Sequence, residues 1–288
     1  MPLILEGKKV ADAVYSNLSL EISLLPFIPK LVFLVAGENA ASQTYVRAKA
    51  KKCEALGLRS ETLVFPQSVS ASDLVAKIRQ LNEDRDVHGM LVQLPLPSHL
   101  SKHSVLWEIN PLKDVDGLHP DNAGRLAYGE PRFIPCTPAG ILEMLKHYKI
   151  QIEGAKAVVV GRSEIVGKPL AQCLLMHNAT VTLCHSKTRS LEQECRSADI
   201  LVVAMDKAKF VGPSFVKEGA AVIDVGIHRE GERLVGDVDF EKVSEKVAAI
   251  SPVPGGVGPM TIAMLMKNLA AAASLQSTIT AGKKKLHS

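Results

Sequence analysis

The sequence predicts an α/β protein of two domains, each built on a parallel sheet with helical crossovers. Short apolar, β-branched runs alternate with helix-period segments along most of the chain, the pattern of strands joined by crossover helices. The runs are apolar throughout rather than alternating, as strands buried on both faces require. At 288 residues the chain passes the size at which one core grows comfortably, so two domains are expected.

The predicted strands are 31-LVFLVA-36, 62-TLVF-65, 89-GMLVQL-94, 157-AVVVG-161, 180-TVTLC-184, 200-ILVVAM-205 and 221-AVIDVG-226. Helices fit around 39–57, 71–83, 137–149, 166–178, 238–247 and 258–275. The stretch 110–138 is rich in Gly, Pro, Asp and Asn without periodicity, and a loop that long is usually functional or interdomain. The boundary is therefore drawn there, giving domains 1–119 and 120–288, with the helix near 258–275 packing back on the first domain. The tail 282-GKKKLHS-288 reads as a solvated end.

Composition narrows the function classes. A hydrophobic share of 47% and a charged share of 22% describe an ordinary soluble globular chain. The formal charge of +4 comes from basic residues spread along the chain, so nucleic acid is not expected as a partner. A mildly basic cleft for an anionic ligand is an equal reading. Cys53, Cys136, Cys173, Cys184 and Cys195 form no C-x-x-C pair, so no zinc site and no disulfide framework follows. Buried thiols in a reducing compartment are the expectation. The N-terminus MPLILEGKKV lacks the order of a signal peptide, and no run is long enough to span a bilayer. A cytoplasmic protein with no membrane partner is expected. No cluster suggests a metal.

The clearest site signal is 156-KAVVVGRSEIVGKPLAQCLL-175. A buried strand ends at Gly161, a short turn follows, and a helix opens near Val166 and Gly167 with Pro169 in its first turn. This is the context of a dinucleotide fingerprint, with helix amides facing a pyrophosphate. The match to G-x-G-x-x-G is imperfect: Ser163 replaces the second glycine and Gly167 falls one place late. An NAD site wants an acid at the tip of the next strand. Here that strand ends in Ser186, Lys187, Thr188 and Arg189, and Arg162 stands in the turn. Hydroxyls and cations suit a 2′-phosphate, so NADP is favoured over NAD.

In 42-SQTYVRAK-49, helical spacing sets Ser42, Tyr45 and Lys49 on one face. A phenol beside an ammonium is a usable proton-handling pair. The Tyr-x-x-x-Lys spacing also occurs in short-chain dehydrogenases, but there it follows the nucleotide turn. Here it precedes Gly161 and lies on the other predicted domain, so that reading fails. Three further segments stand out. In 91-LVQLPLP-97 the amide of Gln93 sits in an apolar run and needs partners. The loop 113-KDVDGL-118 offers Asp114 and Asp116, with an ordinary turn role preferred for Asp114. A Pro/Gly turn opens an apolar helix in 251-SPVPGGVGPMTIAML-265.

The segments YVRAK, VQLPLP, KDVDG, PCTPAG, GRSEIVGKP, CHSKT, DVGI and PVPGGVGPMT occur in this order. Together they closely resemble the bifunctional methylenetetrahydrofolate dehydrogenase/methenyltetrahydrofolate cyclohydrolase family, from about Gly37 to about Leu269. The resemblance implies a folate-binding catalytic domain and a Rossmann-type, doubly wound NADP domain flanking a cleft. It implies a homodimer acting on tetrahydrofolate derivatives in one-carbon metabolism and purine biosynthesis. It places the catalytic lysine at Lys49, with Tyr45 on the folate ring, Gln93 pairing the lysine, Asp116 on the pterin and Ser42 nearby. Pro254, Gly255 and Gly256 would border the folate. Gly161, Arg162, Ser163, Val166, Gly167, Ser186 and Ile227 would hold the cofactor. A buried cleft and adjacent cations would lower the Lys49 pKa for proton transfer. The family often has asparagine after DVGI; this chain has His228. A surface histidine is the first reading, altered cofactor contacts or pH dependence the other. A dehydrogenase without hydrolysis and a non-catalytic binding protein are the rivals.

Overall fold

The structure is a computed structural model that describes residues 1–285, without side-chain detail for residue 41 and residues 280–285. The solvated end read at 282–288 thus falls outside the described side chains. In chain order the first half holds β1 (Leu3–Ile4), α1 (Gly7–Ser23), β2 (Lys30–Ala36), α2 (Ala40–Ala55), β3 (Arg59–Phe65), α3 (Ala71–Glu83), β4 (Gly89–Val92), α4 (Lys102–Leu106) and α5 (Pro120–Ala127). The second half holds α6 (Cys136–His147), β5 (Lys156–Val160), α7 (Gly167–Met176), β6 (Thr180–Cys184), α8 (Leu191–Arg196), β7 (Ile200–Val203) and β8 (Ala221–Asp224). It continues with β9 (His228–Glu230), β10 (Arg233–Val235), α9 (Phe240–Ser244), β11 (Ala249–Ile250) and α10 (Val257–Lys285).

The chain divides into two compact units, Met1–Ala13 with Arg125–Met264, and Val14–Gly124 with the residues from Leu265 onward. The divisions fall inside α1, α5 and α10 rather than at one crossing near 119/120. Two signals lay behind that difference. Helix α1 was not predicted, although Val10, Ala11 and Leu18 are buried along it. Helix α5 lies within the stretch read as an aperiodic loop. It is tied by a polar side chain rather than an apolar stripe: the buried amide of Asn122 donates to the Pro111 carbonyl at 3.0 Å and to Asp114 at 2.8 Å.

The smaller sheet has the order β3-β2-β4, all parallel. Strand β2 is central, and Leu31 to Leu34 are fully buried. Its apolar run therefore reads as continuous, whereas edge strand β3 is mostly exposed. Helix α3 packs Leu74, Ile78 and Leu81 on this core at i, i+4 and i+7. Each such side chain contributes roughly 1.5–3 kcal/mol by burial. The Ser70 hydroxyl caps α3 by accepting from the Asp73 amide at 3.1 Å. The later turns of α10 join this unit through amides: Asn268 donates to the Val115 carbonyl at 2.9 Å, and Gln276 to the His88 carbonyl at 2.8 Å.

The larger sheet has the order β1-β11-β8-β7-β5-β6, all parallel. Strand β5 is flanked by β6 on one side and β7 on the other. The chain therefore leaves β5 in one direction and returns across it, which makes the carboxyl ends of β5 and β7 a topological switch point. The first residues complete the far edge, where the Leu3 amide donates to the Ala248 carbonyl at 2.8 Å. A short antiparallel hairpin, β9–β10, follows β8.

Candidate functional site

In the three-stranded unit, α2 begins at a side-chain cap: Asn39 accepts from the Ser42 amide at 3.0 Å. Its face carries Ser42 and Lys49, both buried, and Tyr45, half-buried. Strand β4 ends at Val92, and the backbone turns at the cis Leu94–Pro95 peptide. Gln93 stands at that exit, its own amide donating to the Leu34 carbonyl at 2.8 Å. The Gln93 side chain is locked at both ends: its nitrogen donates to the Leu94 carbonyl at 2.7 Å, and its oxygen accepts from Lys49 Nζ at 3.1 Å. The Lys49 ammonium also lies 5.2 Å from the Tyr45 ring centroid. Burial raises the Tyr45 phenol above its ordinary value, so near neutral pH it is a hydrogen-bond group and not a base. Lys49, Gln93 and Tyr45 are thus brought together.

Asp116 is half-buried on a loop anchored on either side of it. Before it, buried Lys113 donates to the carbonyls of Leu81 at 2.9 Å, Asn82 at 2.7 Å and Asp84 at 2.6 Å, at the end of α3. Burial pulls the Lys113 ammonium below its ordinary value. Asp114 accepts from the His119 amide and from Asn122, each at 2.8 Å. Burial raises its carboxyl, with these donors opposing. Asp114 is a structural turn residue, as its sequence position suggested. Sequence reasoning missed Lys113 as the anchor of this loop; the lone basic residue before two aspartates was its one signal.

In the six-stranded unit, β5 ends at Gly161, which has φ +117°. A Cβ there would overlap the Ala204 carbonyl oxygen, and one on Gly167 would overlap the Gly161 carbonyl oxygen. Both glycines therefore let the helix start sit against the strand ends, as a dinucleotide turn requires. Ser163 fills the place of the middle glycine and closes the turn before α7, its hydroxyl accepting from the Val166 amide at 3.1 Å. Arg162 and Ser163 are exposed, and Val166 is half-buried. Beyond β6 the chain turns at His185–Thr188, closed by the Thr188 amide on the His185 carbonyl at 2.8 Å. Ser186, Lys187 and Arg189 are exposed at that tip, with no carboxylate beside them in sequence. These residues fit a 2′-phosphorylated dinucleotide: small backbone at the turn, hydroxyl and cations at the second strand.

Pro254, Gly255 and Gly256 form the turn that opens α10, with Gly255 at φ +101° and its carbonyl accepting from the Lys8 amide at 3.3 Å. Ile227 is 52% exposed after β8. His228 beside it is not the surface histidine first read: it is largely buried, with Nε2 2.8 Å from Asp237 Oδ1. Asp237 and Asp224, both buried, were missed as well. All five cysteines are buried and free, and burial pushes Cys53, Cys173 and Cys195 up to about 12. Among the described residues no group of three or more His, Cys, Asp or Glu is placed to hold a metal ion, and no helix is long and apolar enough to cross a membrane.

Comparison with known proteins places both halves. The catalytic-domain model of tetrahydrofolate dehydrogenase/cyclohydrolase matches residues 5–116, and its NAD(P)-binding-domain model matches residues 135–277. A Streptococcus thermophilus protein named bifunctional protein FolD is 52% identical over 272 residues, covering 93% of this chain and 96% of its own length. The solved bifunctional FolD dehydrogenase/cyclohydrolase of Campylobacter jejuni superposes with a TM-score of 0.93 at 45% identity, covering 95% of this chain and 99% of that one. The Trypanosoma brucei dehydrogenase-cyclohydrolase, solved with NADP and an inhibitor, superposes with a TM-score of 0.91 at 38% identity, over 95% and 97% of the two chains.

Proposed function

Because this chain belongs to the tetrahydrofolate dehydrogenase/cyclohydrolase family, we propose that it oxidises 5,10-methylenetetrahydrofolate with NADP and hydrolyses the resulting 5,10-methenyltetrahydrofolate to 10-formyltetrahydrofolate. The observation that carries the hydrolytic half is the buried Lys49 ammonium held on the Gln93 carbonyl oxygen at 3.1 Å. Residues 14–124 carry the folate chemistry, and the six-stranded unit binds the cofactor through Gly161, Arg162, Ser163, Val166, Gly167, Ser186 and Ile227.

NADP supplies the hydride acceptor. The flanking folate nitrogens stabilise the cation that remains, so the protein needs no strong base for this step and contributes mainly by positioning. Tyr45 stacks on the folate ring, Asp116 accepts from the pterin, Ser42 supports the same face, and the Pro254–Gly256 turn borders the substrate. Hydrolysis is more demanding. Water adds to the methenyl carbon, the bond to one ring nitrogen breaks, and one proton leaves to solvent. Lys49 carries the proton between the water and the released nitrogen. Gln93 fixes the lysine, and Tyr45 flanks it.

The chain acts in the cytoplasm as a homodimer and feeds formyl donors to purine biosynthesis. The five free, buried thiols support a reducing compartment, and the family supports the dimer and the pathway. The test is an assay of purified protein on methylenetetrahydrofolate with NADP and NAD in parallel, measuring reduced cofactor and 10-formyltetrahydrofolate. NADP-linked reduction with enzyme-accelerated formyl release is expected. Reduction alone would leave a dehydrogenase and remove the role given to Lys49.

A further inference from the structure

We propose that His228 is a positioning residue for the NADP site: by donating to the buried Asp237 carboxylate, it holds residues 205–207 in the shape that walls one side of the dinucleotide crevice. The inference rests on the NADP-linked activity above and adds a residue that need not touch cofactor or substrate.

Asp237 is fully buried. Its Oδ2 accepts from the amides of Met205 at 2.7 Å and Asp206 at 3.2 Å, and its Oδ1 accepts from the Lys207 amide at 2.7 Å. Three successive amides converging on one carboxylate hold residues 205–207 in a turn, and Asp206 within it has φ +59°. His228 Nε2 lies 2.8 Å from the same Oδ1. Facing a carboxylate oxygen that already accepts an amide, this nitrogen is the donor.

The turn lies where it matters. It leaves the carboxyl end of β7, and the carbonyl against which Gly161 packs belongs to Ala204, one residue earlier. Segments 161–166 and 204–207 are therefore the two loops on either side of the switch point, the place where ligands bind in open α/β sheets. The other end of the tie is equally fixed. The Asp237 amide donates to Asp224 Oδ1 at 2.9 Å, and Asp224 also accepts from Gly226 at 3.0 Å and Val238 at 2.9 Å. A Cβ on Gly226 would press on Asp237, and one on Gly236 would overlap Asp224. The DVG and GDV segments thus interlock, and His228 is the side chain that closes the interlock onto the 205–207 turn. Without its donor, a buried carboxylate is left short of a partner, and the turn relaxes or water enters.

The test compares wild type, His228→Ala and His228→Asn in NADP binding, KM for NADP, and hydrolysis of methenyltetrahydrofolate, which uses no NADP. Asparagine keeps an N–H donor. His228→Ala is expected to weaken NADP and raise its KM about tenfold while hydrolysis stays within about twofold. His228→Asn should recover most of that loss. Unchanged NADP binding in the alanine variant, or equal losses in both variants, overturns the proposal. If the alanine variant does not fold, amide exchange of residues 204–208 in wild type decides: NADP should slow it, and no change overturns the proposal. A wild type that neither binds NADP nor turns over would indict the activity reading; an active wild type with an indifferent His228→Ala indicts this inference alone.

Discussion

The Lys49 constellation and the Gly161 turn are built on opposite principles. Lys49 and Gln93 are 44 residues apart, one on a helix and one at a strand exit, and only the fold brings them within hydrogen-bond reach. The glycine turn is local: Gly161, Ser163 and Gly167 shape each other within seven residues, and its one distant requirement is room beside Ala204. A site of the first kind is written in chemistry, as side chains that no neighbour in sequence explains. A site of the second kind is written in what is missing, as positions where no side chain fits. The two should therefore break differently.

A large effect on folding is expected at the local site. In Gly161→Ala the new methyl meets a backbone carbonyl at a positive φ, so a loss of about 3 kcal/mol in denaturant unfolding is expected, together with loss of NADP binding. Wild-type stability in that variant would remove the steric account of the turn.

Next comes the buried interlock behind that turn. Burial raises the Asp224 carboxyl to about 6, with the amides of Val238, Asp237 and Gly226 opposing. A raised acid holds its proton more tightly folded than unfolded, so its favourable contribution is full below about pH 4 and is lost as pH rises through about 6. Between those limits wild type should lose about 3 kcal/mol relative to Asp224→Asn, whatever the constant offset of the variant. Unfolding curves at pH 4 and pH 7 measure it, and a pH-independent difference would show that Asp224 is ionised throughout.

A smaller effect is expected at the β6 tip. Lys187→Asp should narrow the preference for NADP over NAD about tenfold, through the ratio of kcat/KM values, because a carboxylate there repels a 2′-phosphate and suits a ribose hydroxyl. Hydrolysis of the methenyl substrate should be indifferent. An unchanged ratio would move recognition of the 2′-phosphate away from Lys187, onto Arg162 or Arg189.

How far the sequence foretold these features follows the same division. The β2, β5 and β7 runs were legible because burial on both faces leaves nothing polar in them. The acid-free β6 tip was legible because it is contiguous. Gln93 was half legible from the residues alone: an amide in an apolar run announced a partner, the family resemblance named Lys49, and the fold sets the two 3.1 Å apart. The group of Asp224, Asp237 and His228 was not legible: Asp224 falls in a predicted strand, His228 reads as a surface residue, and the β9–β10 hairpin separates both from Asp237. Helix α5 was illegible because a polar tie, Asn122 to Asp114, does what an apolar stripe does elsewhere. Helix α1 was legible and overlooked, its Val10 and Leu18 spaced at helical period but read only for targeting.

The most direct measurement is Lys49→Met, assayed for both steps in one preparation. Methionine keeps the length of the buried side chain and removes the proton carrier. The account predicts NADP reduction within about tenfold of wild type and hydrolysis reduced about a thousandfold or more. Hydrolysis at the wild-type rate would contradict the role given to Lys49, and equal loss of both steps would contradict the division of labour between positioning and proton transfer.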